Sequence, residues 1–296
     1  FSLAIGNRYK LLSKRVEGQR ILLVFEKVNQ TLIKGDSIDK WSFGIVSGGS
    51  KVLQIKNIIN QIRELNIPCY EIIICGPPES SYIGSDIIQI SDKDFAHDIR
   101  IPITKKKNEI IKKAKYENLV LMHDRISFPK SWHNQFKVYG NYFEVLSMKI
   151  FNKDKSRRVQ DWLYLKGDFN EFNTIESGLV NYDKWNPYLY VDGGFIVIKT
   201  SIIKKVLYNE SLHWGEIEDV DLARRLYLAG TLFEFDVNNF VHTETHRHNG
   251  VSLKRQPFLK RIILKSYFFK KWSQIVYLKR DSLELKKYFR IFNKTS

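Results

Sequence analysis

Apolar residues along this chain alternate between short continuous runs and stretches of helical spacing. Ile21–Phe25 (ILLVF) is a run of strand length between the turn residues Gly6-Asn7 and Gly18, so residues 1–40 read as a β extension. From Trp41 the pattern becomes α/β. Phe43–Val46 (FGIV) predicts a buried strand closed by Ser47-Gly48-Gly49, and Val52, Ile55, Ile58, Ile59, Ile62 and Leu65 then recur at helical spacing. Glu71–Cys75 (EIIIC) predicts a second strand closed by Gly76-Pro77-Pro78, and Asp86–Ile90 (DIIQI) a third. A helix is expected around Lys105–Lys115, with Ile110, Ile111 and Ala114 inward. Leu119–Met122 (LVLM) follows as a fourth strand, ending in His123-Asp124-Arg125.

This order implies a mostly parallel sheet covered by helices. Ligands of such sheets bind outside the carboxyl ends of the strands, which puts Ser47–Gly49, Gly76–Pro78 and His123–Arg125 on one rim. The second half is more mixed. Tyr142–Phe151, Trp162–Leu165, Phe195–Lys199 and Thr231–Phe235 read as strands, Ser201–Tyr208 as a short helix, and Glu218–Leu228 as a helix ended by Gly230. Asp168–Asn186 reads as a polar loop.

Composition refines this picture in three ways. The net charge of +16 is unevenly spread: residues 254–296 hold thirteen Lys or Arg against two acids, leaving only +5 for the rest. Leu259, Ile262, Ile263, Tyr267, Phe268, Phe269 and Trp272 alternate with those cations, as in basic amphipathic helices, so an anionic bilayer surface is the expected partner of the tail. A basic helix face packed on the catalytic domain is the plainer alternative. No nucleic-acid motif accompanies the charge, and nucleic acid is not expected as a partner. Cys69 and Cys75 form no CxxC pair and read as two core thiols of a reducing compartment. No apolar stretch is long enough to predict a membrane-spanning helix. The chain begins at Phe1 rather than Met, which leaves open that it is one module of a longer enzyme.

The candidate chemistry lies in the second half. Glu216, Glu218, Asp219 and Asp221 crowd the start of a predicted helix, where the helix dipole favours anions. Two readings stand: an acidic cap with a solvated face, or a carboxylate fixed at the site rim. His242, His246 and His248 place three of the seven histidines within seven residues, and alternation on an extended segment would put them on one face. Trp214 is either core or a platform for a sugar face, and Trp185, Tyr188 and Tyr190 adjoin it as possible cleft walls. Asp92-Lys93-Asp94 reads as an ordinary loop.

Three pieces then line up in order: the Ser47-Gly48-Gly49 opening; Lys107-Asn108 with Leu119–Arg125; and Asp192-Gly193-Gly194, Trp214-Gly215-Glu216-Ile217-Glu218-Asp219-Val220-Asp221-Leu222 and Arg247-His248. Over residues 41–250 the chain resembles the nucleotide-sugar-dependent glycosyltransferases of the GT-A fold. The front half is similar to family 2, and the back half to the β-1,4-galactosyltransferase type. The resemblance implies an α/β fold with a Rossmann-like, mostly parallel mixed sheet flanked by helices. It divides the chain into an extension at 1–40, a catalytic domain at 41–253 and a helical tail at 254–296.

The resemblance also implies an activity: inverting transfer of a hexose from a nucleotide sugar, a UDP-sugar first, to a hydroxyl of a surface glycan. Because many bacterial relatives use lipid-linked acceptors, it further suggests a protein at the inner face of the membrane. By the same resemblance Asp219 is the base and Glu218 binds acceptor hydroxyls, with the two roles exchangeable. Ser47, Gly48, Gly49, Gly76, Asn108, His123, Asp124 and Arg125 line the donor nucleotide, and Asp192, Gly193, Gly194 and Trp214 the sugar and acceptor. A divalent cation, Mn²⁺ or Mg²⁺, would be held by Asp124 and His248, with His246 second. The family's Asp-x-Asp position reads His123-Asp124-Arg125 here, so one acid is missing and Arg125 offers positive charge instead. A retaining transferase on the same fold and a non-catalytic nucleotide-sugar- or glycan-binding module are the competing functions.

Overall fold

The computed structural model describes residues 9–18, 20–27, 38–95, 101–158, 161–166, 176–186 and 188–244. The chain divides into two compact units. One comprises 1–164 and 179–249 and carries the main sheet and the candidate site; the other comprises 165–178 and 250–296. The tail at 254–296 therefore lies outside the described residues.

β1 (Tyr9–Glu17) and β2 (Arg20–Lys27) form an antiparallel hairpin. The main sheet begins with β3 (Lys40–Val46), and α1 (Val52–Glu64) follows. Then come β4 (Cys69–Gly76), β5 (Ile87–Ser91), α2 (Ile103–Lys113), β6 (Asn118–His123) and β7 (Ile126–Ser127). α3 (Trp132–Tyr139), β8 (Val145–Asn152), β9 (Leu163–Lys166), β10 (Glu176–Leu179) and β11 (Leu189–Tyr190) come next. The described chain ends with β12 (Phe195–Lys199), α4 (Thr200–Ile203), α5 (Glu218–Leu228) and β13 (Phe233–Thr243). Eight strands form one mixed sheet in the order β5-β4-β3-β6-β12-β8-β13-β7. β5, β4, β3 and β6 run parallel, while β12 runs antiparallel to both its neighbours.

Alternation along β3 explains why helices cover both faces. Trp41, Phe43 and Ile45 share one core cluster with Ile55, Ile58, Ile59 and Ile62 of α1. On the other face a Cβ at Gly44 would lie 2.3 Å from Ile110 Cγ2 and 3.0 Å from Leu121 Cδ2, so α2 packs there only because residue 44 lacks a side chain. Gly44→Ala is expected to lose about 1–3 kcal/mol through overpacking, since the β-branched Ile110 cannot swing aside. A denaturation midpoint equal to that of the native chain would show that α2 is not seated this closely.

Several expectations need adjustment. α3 carries no long apolar run, yet its Trp132 and Phe136 pack edge-on to Trp41 at 5.0 and 4.7 Å between ring centroids. The strand expected at Thr231–Phe235 starts at Phe233 and continues to Thr243 after a register shift between Asp236 and Phe240. The helix expected at Ser201–Tyr208 is only the single turn α4. The presumed loop Asp168–Asn186 contains β10. Cys75 is buried, and burial pushes its thiol up to about 12, but Cys69 at the open start of β4 is exposed and not a core thiol. No helix among the described residues is long and apolar enough to cross a membrane.

Candidate active site

The carboxyl ends of β3, β4 and β6 meet the start of β12 along one edge of the sheet. Val46 pairs with Cys75 and with His123, and Met122 with Phe195. The antiparallel entry of β12 therefore delivers Asp192–Gly194 to the rim that collects Ser47, Gly76 and His123.

The β3 turn is fixed by close approach. Ser47 Oγ accepts the Gly49 N–H at 3.0 Å, and Gly49 has φ of +84°, a conformation that favours glycine. A Cβ at position 76 would sit 2.7 Å from the Ser47 carbonyl oxygen. Behind the turn, the buried Lys106 of α2 donates to that same oxygen at 2.8 Å and pairs with Asp92 Oδ2 at 2.6 Å. Asp92, in the loop after β5, is thus a buried ion-pair partner. Asp124 leans over the turn: Lys51 Nζ lies 3.1 Å from its Oδ1, and the Gly48 N–H 3.5 Å from its Oδ2. His123 is buried, and its backbone N–H donates to the Gly194 carbonyl at 3.0 Å.

The carboxylate centre is built at the N-terminus of α5. The chain turns into this helix through two left-handed residues, Gly215 (φ +80°) and Ile217 (φ +57°). Glu216 is consumed locally, accepting the His213 N–H at 3.0 Å, and Asp221 is held by Arg225 at 2.7 Å. Glu218 and Asp219 remain. Asp219 Oδ2 accepts the Gly193 N–H at 3.2 Å, and its Oδ1 accepts the Val220 N–H at 2.9 Å. Burial first, and then the Glu218 carboxylate, push Asp219 up to about 6. Glu218 is only 5% exposed, whereas Asp219 as a whole residue is half-buried.

Around this pair lie Arg158, which no motif singles out, and Lys107 of the Lys107-Asn108 pair. Arg158 is fully enclosed and its Nη2 lies 3.0 Å from Asp192 Oδ2, while Asp192 Oδ1 accepts the Gly194 N–H at 2.9 Å. A Cβ on Gly194 would lie 3.2 Å from Arg158 Nη2 and 3.3 Å from Arg125 Nη2, so two guanidinium groups converge on this glycine. Lys107, 1% exposed, lies 4.0 Å from Glu218 Oε1, with Tyr208 beneath it at 4.6 Å from the ring centroid. One signal for Lys107 was available. Ile103, Lys107, Ile110, Ile111 and Ala114 share one helical stripe, so a lysine there must be buried.

No family model matches the chain, and no curated protein matches it. Among solved structures it is similar to S. aureus TarS 1–349, at 12% identity and a TM-score of 0.47, over 69% of this chain and 60% of that one. The same protein in complex with UDP-GlcNAc gives 11% identity and a TM-score of 0.46, over 74% and 61%. GalNAc-T7 with UDP, GalNAc and Mn²⁺ gives 13% identity and a TM-score of 0.48, over 73% and 46%. These solved neighbours are GT-A glycosyltransferases. The chain spans about 60% of the length of TarS 1–349 and less than half of GalNAc-T7.

The remaining motif residues are placed as follows. Asn108 faces the protein: its Nδ2 donates to the Tyr208 carbonyl and to Glu210 Oε1, and its Oδ1 accepts the Tyr208 N–H, each at 2.9 Å. Its amide therefore ties α2 to the segment before α5. Trp214 is 45% exposed, which fits a surface platform and not a core residue. Tyr190 is buried, and Tyr188 and Trp185 keep some exposure. His242 lies on β13 against the rings of Phe240 and Phe151, at 5.3 and 6.1 Å between centroids. His246 and His248 fall outside the described residues.

A divalent cation requires several oxygen or imidazole donors turned to one point. Among the described residues no group of three or more His, Cys, Asp or Glu side chains offers that. Asp124 faces Lys51, and the next residue is Arg125, so the described part of the rim presents side-chain cations where the resemblance implies a metal.

Proposed function

We propose that the protein is an inverting glycosyltransferase that moves a hexose from a nucleotide sugar to a glycan hydroxyl, with Asp219 as general base. The observation that carries this is the Asp219 carboxylate itself. It is anchored by two backbone N–H groups, and burial and the neighbouring Glu218 carboxylate raise it to about 6, in the range a base needs at neutral pH. In the proposed reaction Asp219 takes the proton of the acceptor hydroxyl. The hydroxyl oxygen then bonds to the anomeric carbon from the face opposite the leaving group. The bond from that carbon to the diphosphate oxygen breaks with its electron pair on oxygen, and configuration inverts.

The departing nucleoside diphosphate is assigned to the rim of Ser47, Gly48, Gly49, Gly76, His123, Asp124 and Arg125. Backbone N–H groups of the glycine turn, together with Lys51 and Arg125, are the positive groups available to it there. Asp192, Gly193, Gly194 and Trp214 border the sugar and acceptor. Residues 254–296, by their basic and aromatic composition, support an anionic bilayer as partner and a position at the inner face of the membrane.

The test is thermal stabilisation by UDP-, GDP- and CMP-sugars, each with Mn²⁺, Mg²⁺ or EDTA. A ligand at 100 times its dissociation constant adds about 2.7 kcal/mol to the native state, which is a rise of several degrees for a chain of this size. One nucleotide class is expected to give that rise, and NMR of the product is expected to show inverted anomeric configuration. The EDTA arm reports whether a metal shares the diphosphate charge. No shift with any donor, together with no transfer, would sink the reading.

A further inference from the structure

We propose that Lys107 is a positioning residue for Asp219: its ammonium, enclosed beside the Glu218–Asp219 pair, keeps Asp219 ionised without itself hydrogen-bonding to either of its oxygens. The proposal rests on the reading of Asp219 as the base.

The geometry sets Lys107 apart from an ordinary ion pair. At 4.0 Å from Glu218 Oε1 the ammonium is beyond hydrogen-bond reach, and its Nζ has no hydrogen-bond partner among the described residues. Its other side rests on the face of Tyr208, where the ring quadrupole stabilises a cation without taking up a proton donor. A charge held this way acts through space, and in an enclosed site such a field is weakly screened.

The charged groups that face Lys107 are Glu218 and Asp219 from α5, Asp192 from the segment before β12, and Arg125 from the end of β6. Asp192 is already balanced by Arg158, and Arg125 opposes the lysine. The net task of Lys107 is therefore to offset two adjacent carboxylates. Without it the like charges of Glu218 and Asp219 favour a shared proton, and a protonated Asp219 cannot act as a base. Burial lowers the proton affinity of Lys107, and the three carboxylates counter that shift.

The experiment is a ¹³C-carboxyl NMR titration of the whole chain, with the Asp219 signal assigned through Asp219→Asn. In Lys107→Met the Asp219 midpoint is expected to rise by at least one pH unit, a tenfold change in proton affinity. In Lys107→Arg it should stay within a few tenths of the native value. The acidic limb of the kcat/KM profile should move with it, so that transfer by Lys107→Met recovers as pH is raised. An unchanged Asp219 midpoint in folded Lys107→Met, with transfer lowered equally at every pH, would make Lys107 a structural tie and overturn the proposal.

If Lys107→Met does not fold, Lys107→Met/Glu218→Gln removes both buried charges and is read against Glu218→Gln alone. Equal Asp219 midpoints in those two proteins would overturn the proposal as well. The titration needs no turnover: a native chain without transfer but with the coupling intact would refute the base reading and leave the Lys107–Asp219 coupling standing.

Discussion

Asp219→Asn is expected to lower transfer by about 10²–10⁴-fold, the usual contribution of a positioned general base, while stabilisation by the donor stays close to native. The amide keeps the shape of the carboxylate, and its one oxygen can accept the Gly193 or the Val220 N–H but not both, so an unchanged melting curve is needed beside the loss to assign it to the missing base. The native protein carries the same information in its pH profile. Protonated Asp219 cannot accept the acceptor's proton, so kcat/KM should fall about tenfold per unit below pH ~6 and level off above it. Single-turnover rates of native protein and variant across pH would check both. An Asp219→Asn enzyme with native turnover would refute the assignment.

Gly193→Ala should be nearly as damaging, through position and not chemistry. A Cβ at residue 193 would lie 2.8 Å from both Cβ and Oδ2 of Asp219 and 3.1 Å from its Cγ. The Asp219 Cβ is fixed to the helix backbone, so either the Asp192–Gly194 segment or the start of α5 must move. A displacement on the order of 1 Å at a reacting group costs roughly 100-fold in rate, and overpacking should add a loss of about 1–3 kcal/mol in stability. Initial rates at saturating donor with a melting curve would separate these effects, and native kcat in Gly193→Ala would show that the glycine does not seat Asp219.

Where a segment's own spacing decides its structure, the sequence was readable. The stripe from Val52 to Leu65 became α1, FIVIK became β12 residue for residue, and Glu218–Leu228 became α5 with its acidic first turn. The edge of the sheet that gathers the glycines and His123 followed from strand order alone. What escaped depends on contacts remote in sequence. α3 is short and owes its place to Trp41, about ninety residues earlier. Asn108 looks like a ligand residue by its neighbours, yet it is engaged by Tyr208 a hundred residues away. Arg158 stands in a stretch with no motif, and only the fold reveals Asp192 as its partner. Lys106 and Lys107 belong to a run of three lysines, yet both are buried. Phase places Lys106 and Lys107 inward.

The bend that launches α5 also bears on how this protein could change. Ile217 holds a left-handed backbone that a β-branched residue adopts only at a cost of about 1–3 kcal/mol, and it does so with half its side chain in solvent. Nothing in its packing asks for isoleucine, and glycine would relieve the strain. Yet the residue after it begins the Glu218–Asp219 pair, and a freer hinge would widen the range of directions that pair explores. Breeding this chain for heat resistance would therefore draw substitutions to position 217 early, and the gain in endurance would come out of the aim of its carboxylates.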